Sequence, residues 1–178
     1  LWFFIPKFQL VCHNLAAQGL PNIGSVAGGS YRDPLPWISS LKEVLACGPA
    51  IALPCHGRPI IGKDAVQDHL TATHDCLRTL VDGVAAVLNR GGTLHDALAE
   101  VVLPAELAKR DDLQEHYGWW PQQVRAVWHG LIGFWSGDPE DLVLLSPIEE
   151  AQGLAELCGG PDHLLMESDR ALKAGRFQ

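Results

Sequence analysis

The spacing of apolar residues changes character near residue 63. Upstream, residues 1–5 and 8–12 are apolar runs of strand length, separated by Pro6-Lys7 as a turn, and 50–54 is a third short strand with a loop over 55–63 behind it. Between these strands, residues 19–36 carry Gly19, Pro21, Gly24, Gly28, Gly29, Pro34 and Pro36 and read as loop. Pro34 or Pro36 then opens a helix with Leu35, Ile38, Leu41 and Leu45 at helical spacing, stopped by Gly48-Pro49.

Downstream the period is helical throughout. Val66, Leu70, Leu77, Val81, Val84 and Leu88 form one stripe, closed by Gly91-Gly92. Thr93 with Asp96 predicts a capping box for a short helix ending before Pro104, and Ser146 with Glu149 predicts another, with Pro147 at the first helical position. Pro121 opens a helix carrying Val124, Val127, Trp128, Leu131 and Trp135, and the scheme repeats from Pro161 to Gly175. The expectation is an α/β portion followed by about four or five helices, without internal repeats.

Composition narrows the classes. The 178 residues are 47% apolar and 19% charged, which excludes disorder and suffices for one domain and a piece of another. No apolar run is long enough to span a membrane, and the opening LWFFI lacks the charged flank and cleavage site of a signal peptide. The chain begins at Leu1 rather than Met and ends just past a helix-stop glycine, so a fragment of a longer protein is expected. Thirteen basic against 21 acidic residues give −8, with no basic run to serve as a nucleic-acid or anionic-lipid footprint. Five scattered cysteines, Cys12, Cys47, Cys55, Cys76 and Cys158, read as free thiols.

Several places can carry chemistry. Gly57 to Asp64 nearly fits the phosphate-cradling G-x-x-x-x-G-K-S/T, but Pro59 removes a backbone N–H and Asp64 stands where a hydroxyl would meet Mg²⁺. An ordinary strand–loop–helix connection is the better reading of that stretch. His56 follows the carboxyl end of a strand, the edge where open α/β sheets place their sites, and imidazole is a common metal ligand. Cys12-His13, followed by Asn14, forms a second such pair; if the two strands are neighbours, the four side chains approach one another. His69 and His74 are five apart and cannot chelate one ion from a single helix face. Tyr117, Trp119, Trp120, Trp128, Phe134 and Trp135 form either a helix-packing core or interface, or a wall for an apolar ligand.

An ordered series of motifs then stands out. Pro21-Asn22, Tyr31-Arg32-Asp33-Pro34-x-x-Trp37, Pro54-Cys55-His56-Gly57-Arg58-Pro59-x-x-Gly62 and Leu70-Thr71-x-x-x-Asp75 come first. Leu103-Pro104-x-x-Leu107-Ala108, His116-Tyr117-Gly118, Val124-Arg125-Ala126-Val127 and Gly133-Phe134-Trp135-Ser136-Gly137-Asp138-Pro139 follow. This series resembles the metallo-β-lactamase-like alkyl sulfatases over nearly the whole chain. The resemblance implies that residues 1–62 are the last part of an αββα metal domain, that 63–160 are a helical dimerisation domain, and that 161–178 lead into a further domain. It implies hydrolysis of primary alkyl sulfate esters at a site of two zinc ions, and a homodimer.

Carried over residue by residue, the resemblance makes His56 a metal ligand and Asn22 a contact to the sulfate group. The family's glutamate ligand falls near Asn14 or His13, neither a carboxylate, and its sulfate-binding arginine falls on Ala27. A tyrosine lining the family's site falls on Trp128. The H-x-H-x-D-H motif that supplies most metal ligands has no counterpart, so the implied reading is an alkyl sulfatase homologue inactive as this chain alone. A non-catalytic helical dimerisation module is the alternative.

Overall fold

Four short strands form one sheet in the order β1-β2-β3-β4. These are β1 (Trp2–Ile5), β2 (Leu10–His13), β3 (Ile51–Pro54) and β4 (Ile60–Ile61) in a computed structural model that describes residues 1–16, 19–24, 30–116 and 118–176. Sequence positions 17, 18, 25–29, 117, 177 and 178, among them Ala27 and Tyr117, lie outside the described residues. β1 and β2 are antiparallel, joined by a 3-10 turn over Pro6–Phe8 that ends on Gln9 in the left-handed region. β2 and β3 are parallel, with His13 opposite Pro54, and β4 returns antiparallel to β3. β4 is an addition to the sequence reading: two residues in a loop are too few for an alternation signal.

The crossover from β2 to β3 runs through α1 (Pro34–Ala46), where Pro34 occupies the first helical turn and the Asp33 side chain accepts from Leu35 N–H. Its buried face is Pro34, Ile38, Leu41 and Val44, whereas Leu35, expected inward, is exposed. α2 (Lys63–Asn89) is the long spine, burying Val66, Leu70, Leu77, Val81 and Val84 as its stripe requires, together with Leu80 and Val87. α3 (Leu94–Glu100) starts on the expected capping box, with Thr93 accepting from Asp96 N–H and the Asp96 carboxylate accepting from Thr93 N–H. The one-turn α4 (Ala105–Ala108) escapes the sequence reading because four residues carry no period. α5 (Trp120–Ile132) buries Gln123, Val124, Val127 and Trp128; it ends at Gly133, which puts Trp135 beyond the helix. α2, α3 and α5 pack on one another, and one cluster of buried side chains runs from Val11 and Ala52 of the sheet to Trp128.

Two compact units result, Leu1–Asp138 and Pro139–Gln178. The second contains α6 (Pro147–Leu157), opened by the Ser146–Glu149 capping box, and α7 (Pro161–Lys173), which pack on each other. The described helices after the sheet therefore number six, α2 to α7, against the four or five expected.

Candidate functional site

Parallel pairing of β2 and β3 carries their carboxyl ends to one edge of the sheet, where Cys55 N–H donates to the His13 carbonyl at 2.9 Å. A cavity of about 750 Å³ opens at this edge. Asn14 and Leu15 reach it from the turn after β2, and His56 from the turn after β3. Leu20, Asn22 and Arg32 line it from the loop that leads into α1. Pro36, Trp37 and Ser40 come from α1 itself, and Thr73 from α2. The Trp37 indole N–H is tied to the Leu15 carbonyl, so one aromatic wall is fixed by the main chain. The described lining contains no carboxylate, although the chain as a whole carries −8.

The loop bearing Asn22 is held from behind by α5. Gln123 is buried, and its Oε1 accepts from Ile23 N–H at 2.8 Å and Gly24 N–H at 3.4 Å. Gln122 Nε2 donates to the Gly24 carbonyl at 2.7 Å. Gly24 lies so close to Ala126 that an added Cβ would stand 2.6 Å from its methyl, and a Cβ on Gly130 would overlap the Tyr31 ring. Gln123 escaped the sequence reading; a glutamine beside Val124 inside an apolar stripe was the available signal.

The sequence candidates divide. Asn14, Asn22 and His56 come together at the cavity. His13 does not: β2 alternation sends it inward with Val11, and it is 2% exposed. Its Nδ1 accepts from Leu15 N–H and Ala16 N–H at 3.3 and 3.4 Å, so the neutral ring carries its proton on Nε2, which is buried without a partner. Burial, with His69 nearby, pushes its pKa down to about 4. Trp128 is fully buried in the core, its indole donating to the Trp135 carbonyl at 2.6 Å, and is not part of the cavity lining. Cys12 and Cys55 are free thiols, and no group of three potential ligands gathers among the described residues.

Zinc requires three or four ligands. In this arrangement His13 offers no free lone pair, Asn14 only an amide, and His56 one imidazole. The described residues do not fit a zinc site on their own.

A second polar group lies outside the cavity lining. Arg110 bridges Asp68 of α2 and Asp112 at 2.6 and 2.8 Å, and His69 Nδ1–H donates to Asp112 at 2.7 Å. The Arg110 hydrogen bond holds the Asp68 carboxyl below its usual range. Burial opposes ionisation of Asp112, but hydrogen bonds from Arg110 and His69 outweigh it. This clamp pins the 110–112 turn to α2.

Comparison with known proteins gives the class. Residues 93–178 match the family model for alkyl sulfatase dimerisation. A linear primary-alkylsulfatase of Pseudomonas sp. is 33% identical over 178 residues, covering 98% of this chain and 34% of that protein. An (R)-specific secondary-alkylsulfatase of Pseudomonas sp. is 28% identical, over 98% of the chain and 27% of its own length. The structure of the stereoselective inverting sec-alkylsulfatase Pisa1 from Pseudomonas sp. superposes with a TM-score of 0.88 at 28% identity, over 98% of this chain and 28% of that one. The chain is thus related to the alkylsulfatases along nearly its whole length, and residues 93–178 correspond to their dimerisation region. It spans between about a quarter and a third of the length of the curated relatives it matches.

Proposed function

We propose that this chain is the substrate-cradling and dimerising part of a hydrolase of alkyl sulfate esters, without a complete catalytic centre of its own. On this reading residues 1–62 are the last part of an αββα metallo-β-lactamase-like domain, 63–160 a helical dimerisation domain, and 161–178 a link to a further domain. The observation that carries it is the cavity at the β2–β3 edge, which gathers Asn14, Asn22 and His56 from separate loops beside a wall of Leu15, Leu20 and Trp37. An amide, an imidazole and an arginine suit an anionic head, and the apolar wall suits an alkyl chain. Asn22 contacts the sulfate, and His56 is the one zinc ligand this chain supplies to a pair of ions completed elsewhere. Because the described residues do not complete a metal site, no hydrolytic step is assigned to them. Metal analysis and sulfate release from dodecyl sulfate test this: negligible zinc and no turnover are expected, and about two zinc ions per chain with turnover overturn it.

The homodimer belongs to the same proposal. In the unit after Asp138 no described side chain is buried, while Leu144, Leu145, Leu157 and Leu165 stand exposed. So many exposed leucines in one unit favour a partner, and a second copy fits the dimerisation match. Sedimentation at micromolar concentration checks it; a monomer there counts against the dimer.

A further inference from the structure

The cavity contains a cation to which the family resemblance assigns no role. Arg32 stands two residues before α1 and is fixed twice against the Asn22–Ile23 segment. Its Nη1 donates to the Asn22 carbonyl at 2.9 Å, and its backbone N–H donates to the Ile23 carbonyl at 3.0 Å. Among the described residues that arrangement uses one of the five N–H donors of the guanidinium. Among the described residues no carboxylate forms an ion pair with it: neighbouring Asp33 caps α1 at Leu35 N–H, and Asp68 and Asp112 are taken by Arg110. Arg32 thus lines the cavity together with Asn22 and His56, with Trp37 as its aromatic wall, and the described lining holds no carboxylate.

A planar fork of charged donors, anchored at one end by the main chain, matches two oxygens of a sulfate or sulfate ester better than a mobile ammonium does. The position where the resemblance calls for an arginine is Ala27. We propose that Arg32 is the anion-binding residue of this cavity, gripping the sulfate of an alkyl sulfate monoester in the role that Ala27 cannot fill. The assignment rests on the reading of the cavity as an alkyl sulfate site.

Sodium octyl sulfate, kept below its micelle concentration, is titrated into the ¹⁵N-labelled full chain while the Trp37 indole N–H is followed by NMR, with uncharged 1-octanol in parallel. Octyl sulfate is expected to give a saturable shift. Arg32→Ala is expected to weaken it on the order of tenfold, as loss of a charge-assisted contact does, and to leave the octanol titration unmoved. Arg32→Gln, which keeps a donor for the Asn22 carbonyl but no charge, is expected to lose as much and decides alone if Arg32→Ala loses its folded amide dispersion. Octyl sulfate binding unchanged in Arg32→Gln, but weakened in His56→Ala, overturns the role of Arg32 and leaves the cavity reading standing. No saturable shift in the unsubstituted chain overturns both.

Discussion

Residues 1–138 and 139–176 use the same helix grammar to opposite ends. Both contain a helix opened by a full capping box, Thr93–Asp96 in one and Ser146–Glu149 in the other. In the first unit the helices bury a continuous core from Val11 to Trp128; in the second, α6 and α7 bury nothing fully, and Leu157 remains 86% exposed. Local signals thus suffice to set where a helix starts, but only tertiary packing decides whether its apolar face is a core or a surface. The first unit buries its apolar faces internally; in the second, described leucines such as Leu144, Leu145, Leu157 and Leu165 stand exposed.

The largest test of this contrast is a pair of truncations. Trp128→Ala is expected to cost about 3–5 kcal/mol in denaturant unfolding, through lost burial and the cavity it leaves. Leu157→Ala is expected to stay within about 0.5 kcal/mol at concentrations where the chain is monomeric, and to weaken self-association in sedimentation instead. A comparable loss of unfolding free energy from both would erase the distinction.

Next in size is Gln123→Leu, which removes the acceptor for Ile23 N–H and Gly24 N–H. The expected loss is about 1–3 kcal/mol, the cost of orphaned buried donors, with hydrogen exchange of the Ile23 amide as the local readout. Acid comes third. Asp68 and Asp112 have depressed carboxyl pKa values in the folded chain, so their contribution is complete above the ordinary carboxylate range and is lost as pH falls through the depressed values. Melting temperatures between pH 6 and pH 3 should fall, and Arg110→Ala should flatten that slope. The smallest effects come at the capping boxes: Thr93→Ala is expected to cost about 1 kcal/mol in urea unfolding. Ser146→Ala breaks the same local geometry outside the core and should move that transition less, while lowering helicity by circular dichroism.

Much of the architecture was legible because it rests on local rules. The α2 stripe, both capping boxes, Pro34 as helix opener and the glycine stops follow from side-chain period and backbone conformation alone. β4 and α4 were not, being too short for a period, and the inward-facing residue of α1 was Val44 rather than Leu35. The cavity was partly legible: the strand-end rule brought Asn14 and His56 to one edge, whereas Asn22 came only from the family resemblance. His13 could not be separated from them, because one residue of register decides between core and rim. Gln123 acts through a contact 100 residues away in sequence, and no local pattern encodes that.

The buttress of the Asn22 loop by α5 bears on where the molecule can be divided. The stretch matched as a dimerisation region begins at residue 93, yet Gln122, Gln123 and Gly130 within it meet Gly24, Ile23 and Tyr31 far upstream. A chain cut before Thr93 would strip α3 and α5 of α2 and leave the loop at Asn22 without a floor. The stretch that matches as a dimerisation region therefore packs against partners outside its own bounds, α2 and the loop at Asn22.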